Sequence, residues 1–144
     1  MTRYWLRSTL FNLAFYLVTG LACIAFLPTL AMPRSAFMLV VKIWTETVFF
    51  LEKYILDLKF EIRGLEHLPQ SGAYIVAAKH QSAYETFKLH KLFGDPAIIL
   101  KQELLKIPLW GKYLKKIRPI AIDRSNPDSA ISSIQQGAIA VKEH

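Results

Sequence analysis

From position 8 to position 33 the chain carries no charged residue, and positions 10–27 are almost wholly apolar. A helix needs about 20 such residues to cross a hydrocarbon layer about 30 Å thick, so this run is long enough to do so. Arg3 and Arg7 flank it on one side, Arg34 and Lys42 on the other. With basic residues at both ends, the positive-inside rule assigns no orientation. A secretory signal has the same basic start, but its apolar region is usually only about 7–15 residues long. The run is therefore read as an uncleaved membrane anchor. Cys23 lies inside it and is the chain's one cysteine, which excludes an internal disulfide and a thiolate metal cluster.

Residues 37–58 show a different pattern. Phe37, Val40, Val41, Trp44, Val48, Leu51, Ile55 and Leu58 recur at helical spacing, with Lys42, Glu46, Glu52 and Lys53 on most of the other side. A charge at the bilayer centre costs about 3 kcal/mol on insertion scales, so Lys42 and Glu46 argue against a second span. The pattern predicts a helix that lies in the membrane interface, packs on the first helix, or serves as an ordinary core helix.

Past residue 57 the composition changes, and the chain divides there into a membrane-anchoring part, 1–57, and a second part, 58–144. Alternation of apolar and charged residues predicts a half-exposed strand over 58–63. A turn-rich connector follows over 64–72, with His67 solvated in it, and then an apolar strand over 73–78. A helix over 83–93 is stopped by Gly94-Asp95-Pro96, and residues 97–100 give a third strand. A short helix from Gln102 ends before Pro108 and Gly111, residues 117–122 give a fourth strand, and Asn126-Pro127 opens a last helix with proline at its first position. Strands alternating with helices predict an α/β fold. The formal charge is +7, and residues 101–124 concentrate it, with seven basic residues against two acidic ones. Such a block favours anionic partners, and beside so much apolar sequence the first of these is a membrane surface. No nucleic-acid motif accompanies the charge, which disfavours that class of partner.

The chemistry-bearing stretch is Lys79-His80-Gln81-Ser82-Ala83-Tyr84-Glu85, at the switch from the 73–78 strand to the following helix. Chemistry in α/β folds gathers at such switches. Glu85 can hold one ring nitrogen of His80 and leave the other free as a base near neutral pH. The same residues also fit a capping box, with Ser82 as N-cap and Glu85 at the third helical position. His80 alone fits a solvated loop histidine, and no nucleophile elbow surrounds Ser82. His90 falls on a helical face with Ala83 and is read as packed. No histidines stand at metal-ligand spacing with a third ligand, so no metal site is expected.

Taken in order, His80-x-Ser82-x-x-Glu85, then Lys101-x-Glu103-Leu104-x-x-x-Pro108-x-x-Gly111, then Pro119-Ile120-Ala121-Ile122-Asp123-Arg124 resemble the glycerophospholipid acyltransferase family. The resemblance is closest to its bacterial 1-acyl-sn-glycerol-3-phosphate acyltransferases and covers residues 37–144, with 64–69 resembling the lead-in to the first motif. It implies N-terminal membrane helices followed by part of an α/β acyltransferase domain. It also implies transfer of an acyl group from a thioester to the free hydroxyl of lysophosphatidic acid. In that pattern His80 corresponds to the general base and Glu85 to the acid that orients it. Lys101 and Arg124 correspond to positions that bind the acceptor's phosphate, and Glu103, Leu104, Pro108 and Gly111 to a structural block beside the acyl-chain site. No cofactor is implied beyond the donor, acyl-CoA or acyl carrier protein. The implied setting is the cytoplasmic face of a bacterial inner membrane, in contact with membrane lipids.

Two departures stand out. The family's usual acid is aspartate, and Glu85 is one methylene longer. The family's later Pro-Glu-Gly-Thr-Arg block is absent, so the expectation is the N-terminal part of a longer protein, with about four short strands and open edges. An inactive membrane-associated fragment is the alternative reading.

Overall fold

The computed structural model describes residues 2–79, 84–123 and 127–142. The uncharged run forms helix α1, Thr2–Ala25, which at 1.5 Å per residue is roughly 36 Å long. Among the described residues it is the one helix that is long and apolar enough to cross a membrane, by length and composition. Leu10, Leu13, Leu17, Leu21 and Ile24 stay exposed along it. A 3-10 turn, Leu27–Leu30, reverses the chain into α2, Arg34–Leu51. Pro33 starts α2 well because its missing N–H would have no partner there, and its carbonyl accepts from Phe37 N at 3.2 Å. α2 ends in a π-helical turn, Glu52–Leu56, closed by Asp57 in the left-handed conformation (φ 58°).

The hairpin of α1 and α2 is packed on the rest of the molecule. Trp44 of α2 donates to Thr19 of α1 at 3.2 Å, and its ring sits among Phe15, Phe87 and Trp110. Phe37 is almost fully buried and stacks on Tyr113, with ring centres 5.8 Å apart. The Tyr113 hydroxyl donates to the Cys23 carbonyl at 2.7 Å, and Lys116 donates to the Leu30 carbonyl at 2.6 Å. These bonds satisfy carbonyls at the end of α1 and in the reversing turn, where helix geometry leaves them without partners.

Helix α3, Tyr84–Phe93, stops at Gly94 (φ 72°), as the glycine after its last turn leads one to expect. Strand β1, Ile99–Lys101, pairs in parallel with β2, Ile120–Ile122, with Lys101 opposite Ile122. The crossover runs through a 3-10 turn, Gln102–Lys106, and helix α4, Trp110–Ile117. Helix α5, Pro127–Lys142, covers β2, with Gly137 against Ile120.

The architecture is mostly helical around a two-stranded parallel sheet, which is smaller than the four strands expected. Residues 58–63 and 73–78 form no ladder, and Tyr74, Ile75 and Val76 are exposed there, Ile75 at 95%. An extended segment becomes a strand only when its backbone groups find a partner edge, and among the described residues β1 and β2 pair with each other alone. The fourth strand begins at Ile120 rather than 117 because Ile117 closes α4 and Arg118 caps it in the left-handed conformation (φ 61°). Glu52 also departs from the reading that placed it on a polar helix face, since it is 4% exposed.

Candidate active site

Glu85 lies in the first turn of α3, where a carboxylate meets the positive end of the helix dipole. It is half-buried and its side chain is engaged rather than free. His80 and Ser82, expected as its base partner and its capping partner, lie outside the described residues, as does Arg124.

What the structure does define is how α3 is held. Among the described residues three ion pairs tie it and the turn after it to α2 and its π turn. Arg34, the first residue of α2, makes a two-pronged pair with Asp95, just past the end of α3, and also donates to the Ile117 carbonyl at 3.0 Å. Glu46 takes Lys91 at 2.6 Å, and Glu52 takes Lys88 at 3.2 Å. Successive partners move up α2 and down α3, so the helices run antiparallel and Glu85 faces the end where α2 closes in its π turn. There Arg7 of α1 reaches Asp57 at 3.7 Å.

The Glu52–Lys88 pair is the dry one of the three, its side chains 6% and 10% exposed. The Lys88 ammonium lies 3.6 Å from the ring centres of both Phe49 and Phe60. Burial pushes the Glu52 carboxyl above its usual range, and Lys88 pulls it back only in part. An open cleft of about 520 Å³ is lined by Glu52 together with Lys53, Tyr54 and Lys59. The apolar spacing of 37–58 gave no sign of this pair, because the partner stands 36 residues away.

Lys101 ends β1, and the parallel register brings Asp123, which follows β2, to the same end of the sheet. Carboxyl ends of parallel strands are where open α/β folds bind ligands. Lys101 pairs with Glu103 at 3.3 Å, and both side chains are about half exposed. The Glu103 carboxyl is held below its usual range first by its own backbone N–H, with Lys101 adding to this and Asp123 opposing it. Lys101 and Glu103, expected at the phosphate-binding position and in the structural block, are thus neighbours here, and Lys101 already has an anionic partner.

Pro108 and Gly111 shape the entry to α4. Trp110 N donates to the Pro108 carbonyl at 2.7 Å across Leu109, whose φ of 63° and ψ of −57° make a strained γ-turn. Gly111 N donates to Ile107 at 2.8 Å, and Gly111 presses on the Leu105 backbone so closely that a Cβ would overlap its carbonyl. Leu104 of the same block is exposed.

Between α1, α2, α3 and α4 lies an apolar cavity of about 90 Å³, lined among others by Cys23, Phe37, Trp44, Phe87, His90 and Tyr113. Among the described residues His90 Nδ1, buried there, has no hydrogen-bond partner. Burial lowers the His90 pKa, while the Asp95 charge works the other way. Among the described residues no three His, Cys, Asp or Glu side chains gather as metal ligands do.

The Acyltransferase family model matches residues 59–143 of this chain. The chain is 36% identical over 111 residues to a 1-acyl-sn-glycerol-3-phosphate acyltransferase of Pseudomonas aeruginosa, covering 76% of this chain and 43% of that protein. It is 31% identical over 87 residues to the mouse 1-acyl-sn-glycerol-3-phosphate acyltransferase alpha, covering 60% of this chain and 30% of the other. With the rat Lysophosphatidylcholine acyltransferase 1 the identity is 26% over 102 residues, or 65% and 19% of the two chains. The chain therefore spans less than half the length of each of these relatives. No solved structure matches it. With more than half of its residues under one family model, the chain belongs to the Acyltransferase family.

Proposed function

We propose that the protein transfers a fatty acyl group from a thioester to the free hydroxyl of lysophosphatidic acid, giving phosphatidic acid. The observation that carries this reading is the 36% identity to a protein named for that acceptor. The order of His80, Glu85, Lys101 and Arg124 along the chain supports it as well.

In this reading His80 takes the proton of the acceptor hydroxyl as the oxygen attacks the thioester carbonyl. The carbon–sulfur bond then breaks, and the thiolate leaves with the proton that His80 returns. A hydroxyl is a weak nucleophile, and a positioned base contributes about 10²- to 10⁴-fold. Glu85 orients the imidazole. Lys101 and Arg124 hold the acceptor's phosphate and so fix its hydroxyl, a gain from proximity. Lys101 ends β1 at the end of the sheet that Asp123 also reaches, which supports a ligand place for Lys101 there. The acyl donor is the thioester of coenzyme A or of acyl carrier protein, and no metal or prosthetic group takes part.

The division at residue 57 belongs to the same reading, with 1–57 as the anchoring part and an α/β acyltransferase domain from residue 58. The exposed leucines of α1 support membrane association, and the working surface is the cytoplasmic face of a bacterial inner membrane. The test is phosphatidic acid formation from lysophosphatidic acid with each donor in turn, using the membrane-bound protein. Product with one donor is expected, and no product with either contradicts the proposal.

A further inference from the structure

We infer that Lys88, held by Glu52, is a positioning residue that fixes the rotation of α3 and thereby aims Glu85. The inference rests on the reading of Glu85 as the acid that orients His80.

Among the described residues three ion pairs join α2 and its π turn to the α3 segment, and of these the one nearest Glu85 is dry. The Lys91–Glu46 side chains are 33% and 50% exposed, and the Arg34–Asp95 side chains 30% and 42%, against 10% and 6% for Lys88–Glu52. Surface pairs of the first kind tolerate sliding, because water replaces a lost contact at little cost. A buried pair does not, since an ammonium turned away from its carboxylate is left charged in a low-dielectric site. Phe49 and Phe60 press on the Lys88 ammonium at 3.6 Å each, so its position is fixed from two sides as well as by Glu52.

Lys88 stands three residues after Glu85 on the same helix, so no rotation of α3 moves one without the other. At a side-chain radius of roughly 5–6 Å, a 20° turn moves a carboxylate by about 2 Å. A misplacement of about 1 Å at reacting groups can cost about 10²-fold in rate. Stability is a poor reason for the pair. Well-packed apolar residues in place of a buried ion pair usually leave a protein as stable or more so. What apolar side chains lack is direction, and they let a helix settle at more than one angle.

The test replaces the pair by Glu52→Leu with Lys88→Met in the membrane-bound protein, assayed with lysophosphatidic acid and acyl-CoA or acyl carrier protein thioesters. The expected result is a melting temperature at or above that of the unaltered protein, with kcat lower by tenfold or more and KM for lysophosphatidic acid unchanged. The imidazole ¹⁵N signals of His80 give a readout that needs no turnover. They are expected to show one tautomer in the unaltered protein and a mixture in the apolar pair. Unchanged kcat and unchanged ¹⁵N signals in the apolar pair overturn the inference. Should the apolar pair not fold, Glu52→Gln is read by the same signals and the same criteria. An unaltered protein without acyl transfer counts against the acyltransferase reading alone, and the ¹⁵N comparison still decides the positioning.

Discussion

Arg34 and Asp95, 61 residues apart in sequence, meet in a two-pronged ion pair that ties the start of α2 to the turn closing α3. Through its further bond to the Ile117 carbonyl, Arg34 also reaches the end of α4. One side chain thus joins the helical hairpin to both helices that flank β1.

Arg34→Ala removes all three bonds, and a planar fork of this kind has no substitute in lysine. The pair is part-exposed, so solvent screening limits its worth. The expected loss is about 1–2 kcal/mol of unfolding free energy, read by denaturant titration. Arg34→Lys should recover less than half of it. A stability equal to that of the unaltered protein would show the pair to be a surface ornament.

Gly111→Ala adds a methyl group where the Leu105 carbonyl already sits. The obstacle is backbone, so α4 must move away from the Gln102–Lys106 turn. Overpacking of this sort typically costs about 1–3 kcal/mol. Gly72→Ala is a useful contrast. It has open space around its α-carbon, and its cost comes from its φ of 84° alone. If Gly111→Ala melts at the unaltered temperature, the close contact is not as drawn.

His90 sets a pH dependence. Its folded pKa lies below the ordinary 6.5 because burial penalises the imidazolium. The folded protein therefore favours the neutral ring. Above about pH 6.5 its contribution to stability is fully present, and it is lost as pH falls from there through the lower folded value. His90→Leu should flatten the stability curve below about pH 6.5, measured by denaturant titration at each pH. Curves of equal slope in the two proteins would contradict the assignment.

Lys101 is shared between a resident carboxylate and the proposed phosphate. Glu103→Gln removes that competitor, so the account expects a lower KM for lysophosphatidic acid with kcat changed by less than about twofold. Lys101→Glu should raise KM by at least about tenfold, since it places like charge against the phosphate. Equal KM values in all three proteins would detach Lys101 from the acceptor.

Elements that depend on local signals were legible from residue order. The uncharged run became α1, Gly94 ended α3, and the segments around Ile99 and Ile120 became β1 and β2. The segments at 58–63 and 73–78 carry equally good strand patterns, yet they lack a partner edge among the described residues. A strand is a property of two segments, and one sequence window holds only one of them. Glu52 shows the same limit in another form. On a helical wheel it is one more charge, and only the approach of Lys88, Phe49 and Phe60 makes it an interior group. For the candidate site, residue order put Lys101 just past a strand and stopped the helix from Gln102 before Pro108 and Gly111, but the close approach of Gly111 to Leu105 was not readable. Nor were the Lys101–Glu103 pair and the cavity around His90, since they arise from how a turn and four helices meet.

The most direct measurement is the initial rate of phosphatidic acid formation by the membrane-bound protein and by its His80→Ala variant. Amounts on the vesicles should be matched, and the donor should be the one that supports turnover. The account expects the variant to lose about 10²-fold or more of kcat while binding the vesicles as before. A His80→Ala protein that works at the unaltered rate would contradict it.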